Sequence, residues 1–398
     1  MIPRTLAKKL KEAAGRYPVV TVTGPRQSGK TTLVRAVFKD YAYSTLELPD
    51  QRAFAMEDPR GFLSQFEGPV ILDEAQRVPD LFSYIQVMVD EQNKAGQFIL
   101  TGSHNFLLLQ GISQSLAGRC AVLHLLPFSH AELSGHKPFT LSELGRKTYQ
   151  GTGAPGKKLA EVLFTGFYPR IHDKRLPPQD WLGNYYQTYL ERDVRNVLKM
   201  GDLESFGRFV RLCAGRNAQL LNLSSLASDC GITHTTARRW ISVLEASFLI
   251  VLLRPHHQNF GKRLIKSPKL YFLDTGLLCF LLQIRFPEEL HHHAMKGGIF
   301  ESYVLSEFYK NFLNRGELPA LSFWRDTSGR EVDLLVEQGG RLTPVEVKSA
   351  QTIAGDFFKG LNDWRNLSSR SNDPAALVYG GDSSFKRAGT IVYPWFAL

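Results

Sequence analysis

The stretch Gly24-Pro25-Arg26-Gln27-Ser28-Gly29-Lys30-Thr31 constrains this chain more than any other. A β-branched run over Pro18–Thr23 precedes it, and a helical pattern over Thr32–Phe38 follows. Strand, glycine loop and helix in that order make a cradle for phosphate. Glycines let backbone amides close on an anion, and a helix N-terminus favours negative charge. Gly24, Pro25, Arg26, Gln27, Ser28, Gly29 and Thr32 are expected to surround ATP. Lys30 is expected to reach its β- and γ-phosphates, and Thr31 to ligate Mg2+.

Val70-Ile71-Leu72-Asp73-Glu74 is an apolar run ending in two acids. A strand buried in a parallel sheet reads this way, and open α/β sheets bind ligands at strand carboxyl ends. Asp73 is expected to hold Mg2+, directly or through water. Glu74 is expected to orient and deprotonate the attacking water, which predicts hydrolysis and not binding alone. A third strand over Gln97–Gly102 leads into Ser103, expected at the γ-phosphate or the lytic water, with Asn105 as the alternative. Arg119 stands just before an apolar strand over Cys120–Leu126. There it is expected to reach a neighbouring subunit's nucleotide and stabilise transition-state charge, which requires an oligomer. A surface ion pair is the alternative.

Several motifs together resemble one family. They are Tyr43-Ser44-Thr45-Leu46-Glu47 with Arg52, Asp58-Pro59, Leu-Asp-Glu-Ala-Gln at 72–76, Leu-Thr-Gly-Ser at 100–103 and Leu-Ala-Gly-Arg at 116–119. The match continues through Gly166–Pro169, Tyr189–Asp193 and the C-terminal motifs, so it covers nearly the whole chain. The family is the prokaryotic AAA-like ATPases labelled only as ATP-binding proteins, whose C-terminal half is a domain of unknown function. The resemblance implies an AAA-like P-loop NTPase core and ATPase activity, and it says little about biological role.

Gly151–Lys157 reads as a linker. Helical patterns at Leu159–Phe164 and Trp181–Met200 are expected to form a helical lid over the nucleotide. Arg170 or Arg192 is a candidate phosphate sensor from that lid, with packing ion pairs as the alternative. Next, Leu223–Asp229 reads as a short helix and Cys230–Thr233 as a turn. A second helix, capped by Thr233 or His234, runs to about Ala246. This resembles a helix-turn-helix. Thr235, Thr236, Arg238 and Arg239 then fall in the half where base and phosphate contacts are made. Strands over Ser247–Leu253 and Leu270–Leu273 are expected to form a wing around a basic loop that carries Lys262 and Arg263.

The charge follows this pattern. The whole chain carries +10, and residues 205–275 hold ten basic side chains against three acidic ones. A basic face over such a motif points to DNA; a winged helix used for protein contacts is the alternative.

In the last quarter, Gly298–Asn314 reads as an amphipathic helix that carries Glu301. Asp333 in an alternating strand precedes Glu346-Val347-Lys348 in the next. Residues two apart on a strand share a face, so Glu346 and Lys348 point together. This is the D…ExK arrangement of the restriction-endonuclease-like fold. Two or three such carboxylates with Mg2+ and a lysine suit phosphodiester hydrolysis; a DNA-binding or structural module is the alternative. His291, His292 and His293 are adjacent, which suits no single metal ion, because one helical face needs residues three or four apart. With His256 and His257 they are expected at the surface or facing DNA.

The expected fold class is therefore α/β. It comprises an AAA-like P-loop core (1–150), a helical lid (151–204), a winged helix-turn-helix (205–275) and a C-terminal α/β restriction-endonuclease-like domain (276–398). Composition agrees: 43% hydrophobic and 22% charged residues exclude a disordered chain. Four scattered cysteines exclude a disulfide framework and fit a reducing compartment. No apolar run approaches the roughly 20 residues of a membrane span, so a cytoplasmic protein is expected. The functional expectation is an ATP hydrolase, with ATP and Mg2+, that remodels or translocates duplex or branched DNA as a homo-oligomer, a hexamer among the possible forms. The alternatives are an ATP-gated signalling or defence switch that binds a protein partner, and an ATP-regulated, Mg2+-dependent nuclease.

Overall fold

Beta-branched side chains crowd a helix and suit a pleated sheet. The run Val19–Thr23 accordingly forms strand β1, buried along its whole length. It lies in a parallel sheet with β2 (Ala42–Thr45), β3 (Val70–Asp73), β4 (Phe98–Gly102) and β5 (Cys120–His124), in the order β2-β3-β4-β1-β5. The structure is a computed structural model that describes residues 2–92, 94–103, 115–151, 156–190, 203–256, 266–368 and 373–398. These fall in two units. The first is Met1–Phe128 with Ala246–Phe248 and Phe312–Leu318; the second is Ser129–Glu245, Leu249–Asn311 and Pro319–Leu398.

In the first unit, alternate strand residues serve opposite faces of the sheet. Val19, Leu72 and Leu100 join Phe62, Leu81 and Ile85 in one core. Val20, Val22, Ile71 and Ile99 join Leu6, Leu10 and Leu33 in another. The covering helices are α1 (Leu6–Ala14), α2 (Lys30–Val37), α3 (Pro49–Glu57), α4 (Pro59–Ser64) and α5 (Leu81–Gln92). The sheet is thus buried on both sides, with its carboxyl ends free to build a site.

The second unit starts with α6 (His130–Ser134), whose N-terminus is closed by a reciprocal Ser129–Glu132 capping box. The His130 backbone N–H donates to Glu307 at 2.9 Å, and the Tyr393 hydroxyl donates to the Lys147 carbonyl at 2.7 Å. Bonds of this kind tie residues 129–150 to the second unit, so the boundary expected at 150 falls at 128.

The patterns expected as a lid fall on α7 (Leu159–Thr165) and α9 (Pro178–Tyr185), with a further helix, α8 (Pro169–Lys174), between them. α7 and α9 pack on the helix Thr275–Leu281 of the same unit. Gly166, at φ 68°, makes this approach: a Cβ there would stand 2.5 Å from the Asp274 carboxylate. Of the helix expected over Trp181–Met200, the described part is α-helical to Tyr185 and π-helical over Tyr186–Leu190, and the rest lies outside the described residues. Arg192 lies outside the described residues.

Then come α10 (Leu203–Gly215), β6 (Gln219–Leu220), α11 (Leu223–Cys230), α12 (His234–Ala246), β7 (Ile250–Leu253) and β8 (Lys269–Phe272). Gly231, left-handed at φ 69°, ends α11, and the Thr233 hydroxyl accepts the Thr236 N–H at 3.1 Å to start α12. Trp240 packs edge-on against Phe206 and Phe209, with centroids 5.2 and 5.1 Å away. The three strands pair antiparallel in the order β6-β8-β7.

A separate mixed sheet completes the chain. After α13 (Thr275–Leu281) and α14 (Lys296–Asn314) come β9 (Leu321–Arg325), β10 (Glu331–Gln338), β11 (Arg341–Lys348), α15 (Lys359–Ser368), β12 (Ala376–Tyr379), β13 (Phe385–Arg387) and β14 (Thr390–Pro394). Their order is β13-β14-β12-β11-β10-β9. Gly339 and Gly340, at φ 56° and 73°, make the two-residue turn between β10 and β11. β11, β12 and β14 run parallel, so their carboxyl ends lie together.

Candidate nucleotide site

Gly24 leaves β1 at φ 152°, and a Cβ there would lie 2.1 Å from the Leu125 carbonyl oxygen. Gln27 and Gly29 are left-handed at φ 63° and 91°. Such alternation makes the backbone concavities that bind anions. α2 starts at once, with no side chain capping its N-terminus. Lys30, 6% exposed, donates to the carbonyls of Gly24 and Pro25 at 3.0 and 2.8 Å. Burial pushes its ammonium down to about 8, against the pull of Glu74 and Asp73. The hydroxyls of Thr23 and Ser28 are buried without a hydrogen-bond partner, while Gln27 and Thr32 are exposed and Arg26 half-buried. The sequence thus brings a lysine, free helical amides and two unspent hydroxyls to one loop.

Three hydroxyls converge on Asp73. Thr31 donates at 3.0 Å, Tyr43 at 3.0 Å, and Thr101 donates as well. Burial, then the neighbouring Asp73 charge, pushes the Tyr43 phenol up to about 12. Hard oxygen donors of this kind suit Mg2+, so Thr31 and Asp73 fit the ion expected of them. Glu74, one residue beyond β3, is left-handed at φ 55°, ψ 41°. A non-glycine residue held there costs on the order of 1–3 kcal/mol and is typical of working sites. Its carboxylate takes the Gln76 amide at 2.6 Å and the Ser103 hydroxyl at 3.3 Å. Ser103 therefore meets Glu74; Asn105 lies outside the described residues. Tyr43, Thr101 and Gln76 stand within the motifs of the resemblance, but the sequence assigned them no role at the site. Tyr43 and Thr101 reach Asp73 only because β2 and β4 flank β3, and polar residues near those strands' carboxyl ends were the available signal.

Arg119 sits at the start of β5, on the surface. It grips Asp90 of α5 with two bonds, Nε to Oδ1 at 2.5 Å and Nη2 to Oδ2 at 2.8 Å. Within one chain, then, the surface ion pair is what forms.

The C-terminal residues also gather. Lys348 donates to Glu346 at 2.6 Å and stands 3.7 Å from Asp333. Asp333 accepts the Val347 N–H at 2.8 Å, and Tyr271 donates to Glu301 at 3.1 Å. Burial, then Asp333, raises Glu301 to about 7 and Glu346 to about 8. Burial opposes the Lys348 charge, but Asp333 and Glu346 outweigh it and its pKa rises. Lys269, unforeseen from sequence, is 4% exposed and pairs with Glu331. Among the described residues no group of three or more His, Cys, Asp or Glu is arranged to hold a metal ion. Of the two or three carboxylates expected to bind Mg2+, Glu346 carries Lys348 and Asp333 stands 3.7 Å from it.

Of the expected DNA-facing residues, Thr235, Arg238 and Arg239 are exposed on α12. The Thr236 hydroxyl is 2.9 Å from that of Thr233, so it serves the helix cap. Lys262, Arg263 and His257 lie outside the described residues. Arg170 is exposed on α8, and His291 and His292 are exposed. His293 Nδ1 accepts the Met295 N–H at 3.1 Å, and His256 lies 6.0 Å from the Trp364 ring.

Family models match three stretches: an AAA domain over residues 16–134, a domain of unknown function (DUF8612) over 156–288 and another (DUF4143) over 296–398. Two uncharacterised mycobacterial proteins, Rv2008c of Mycobacterium tuberculosis and Mb2031c of Mycobacterium bovis, are each 32% identical over 392 residues, 98% of this chain and 82% of theirs. The chain belongs to their family. This AAA-domain family member carries an ATPase-like P-loop domain at its N-terminus and a C-terminal domain of unknown function. Among solved structures, the Walker-type ATPase PABY2304 of Pyrococcus abyssi aligns at TM-score 0.43 and 16% identity, over 71% of this chain and 96% of that one. No helix among the described residues is long and apolar enough to cross a membrane.

Proposed function

We propose that this family member hydrolyses ATP, binds DNA and couples the two to remodel DNA or move along it, acting as an oligomer. One arrangement carries the reading: Lys30, Thr31, Asp73 and Glu74 meet at the end of the parallel sheet, with Glu74 held left-handed beside Asp73. The loop amides and Lys30 bind the phosphates, and Lys30 exchanges two carbonyls for phosphate oxygens. Thr31 and Asp73 would hold Mg2+, which when bound neutralises charge between the β- and γ-phosphates. Glu74 takes a proton from the attacking water while Ser103 and Gln76 fix its carboxylate. Arg119, released from Asp90, reaches the nucleotide of a neighbouring copy.

The DNA half rests on α10–α12 with the β6-β8-β7 sheet, which we read as a winged helix over 205–275. Thr235, Arg238 and Arg239 stand exposed at the start of α12, where recognition helices meet DNA. For the last sheet we propose a restriction-endonuclease-like module that holds nucleic acid without cutting it, since the Lys348 ammonium stands on Glu346 and close to Asp333, where a metal ion would sit. ATP turnover with duplex, single-stranded and four-way-junction DNA at low salt tests the proposal. Stimulation by one of them, weakened by salt, is expected. No stimulation and no binding by any of them would leave the protein-partner switch in its place.

A further inference from the structure

A cavity of about 560 Å3 opens in the second unit at the carboxyl ends of β11, β12 and β14. Ser349 follows β11, Gly380 and Gly381 follow β12, and Trp395 and Phe396 follow β14; all of them line it. Open α/β sheets take ligands at such ends. The charged and titratable part of the lining is mostly basic, with Lys157, Lys158, His291 and Lys296 against a single acid, Asp382. Lys296 is also the first residue of the 19-residue α14, whose N-terminus adds positive potential. Trp395 and Phe396, fixed edge-on with centroids 5.5 Å apart, give the cavity a narrow aromatic side, each residue being 4% exposed.

The geometry points to a ligand with a phosphate for the basic side chains and a flat ring for the aromatic side. We propose that the cavity binds a nucleotide, either free or as the 5′-phosphorylated end of a DNA strand. Bare phosphate needs neither the volume nor the aromatic side. The volume falls in the usual range for small-molecule sites, roughly 300–1,000 Å3. The cavity shares no residue with the phosphate loop, so the proposal does not rest on the ATPase reading. It neighbours the Glu346–Lys348 pair, since Ser349 directly follows Lys348.

Binding of dTMP to the full chain, followed by tryptophan fluorescence, tests this. The Lys30→Ala chain silences the phosphate loop and is expected to bind dTMP as the unaltered chain does. Charge reversal at Lys158 and Lys296 together (Lys158→Glu, Lys296→Glu) is expected to weaken binding about tenfold or more, the worth of one or two charged hydrogen bonds. Lys157→Glu, at an exposed position, gives the same direction if the double variant melts early. A short DNA strand with a 5′-phosphate and a 3′-fluorescein is compared with dTMP by anisotropy. Strand binding that exceeds that of the same strand with a 5′-hydroxyl, and that loses this excess on the Lys158 and Lys296 reversals, assigns the cavity to DNA ends; no such excess, with dTMP still bound, assigns it to free nucleotide. Loss of the signal in Lys30→Ala, indifference to the charge reversals, or inorganic phosphate binding as well as dTMP would each overturn the proposal.

Discussion

At β3 the Asp73 carboxylate is ringed by the hydroxyls of Thr31, Tyr43 and Thr101, while Lys30 is held apart by the carbonyls of Gly24 and Pro25. At β11 the same residue types are paired differently: Lys348 lies on Glu346 and close to Asp333, and Lys269 lies on Glu331. Hydroxyls satisfy a carboxylate's lone pairs without bringing a countercharge, and carbonyls hold an ammonium without cancelling its charge. The first group can thus accept a cation and an anion. The second has spent its charges on itself. Acid and lysine stand at a strand end in both regions, and what each is bonded to sets them apart.

The largest expected break in this contrast comes from Glu74→Gln. ATP turnover should fall about 10²- to 10⁴-fold, the usual worth of a general base, while nucleotide binding persists; steady-state hydrolysis beside mant-ATP titration reads both. An unchanged rate would remove Glu74 as the base. Lys30→Ala should weaken mant-ATP binding by about 100-fold, from two charge-assisted hydrogen bonds. A smaller effect follows from pH. The ligand-free Lys30 is charged below about 8 and loses its proton above it, whereas bound phosphate favours the charged form. Nucleotide affinity should therefore fall as pH rises past about 8, by up to about tenfold per unit, in titrations at pH 7, 8 and 9. Flat affinity across that range would mean that Lys30 does not carry the phosphate.

The smallest effect sharpens the other side. Burial, then Asp333, raises Glu346 from 4.5 to about 8, so the folded state holds its proton more tightly than the unfolded chain does. That contribution to stability is full below 4.5 and is lost as pH climbs towards 8. Glu346→Gln removes the penalty and should raise the melting temperature at pH 8 by about 2–4 °C, the equivalent of about 1 kcal/mol. It should change little at pH 5. A lower melting temperature at pH 8 would show that the Lys348 pair outweighs the burial of the acid.

The local parts of this picture were legible in the sequence. Strand, glycine loop and helix around Lys30 announce themselves because a phosphate cradle uses contiguous residues. So do the α11–α12 turn at Gly231 and the Gly339–Gly340 hairpin. The partners were not legible. Tyr43 and Thr101 meet Asp73 through the strand order β2-β3-β4, which no local pattern encodes. Lys269 meets Glu331 from 62 residues away, so the charge balance of the D…ExK group depends on chain topology. The boundary at 150 was misplaced for a similar reason: hydrogen bonds from residues hundreds of positions later, such as Tyr393, claim residues 143–147.

The close pass of Gly24 beneath Leu125 ties two distant-looking features together. β5 pairs with β1 residue for residue from Cys120 to His124, and its five residues make a rod roughly 16 Å long. One end of the rod carries Arg119, and the other forms the ceiling of the phosphate loop. A side chain at position 24 would strike that ceiling, so the loop has no slack against it. Arg119 and the first residue of the cradle are thus joined through five consecutive residues paired to β1.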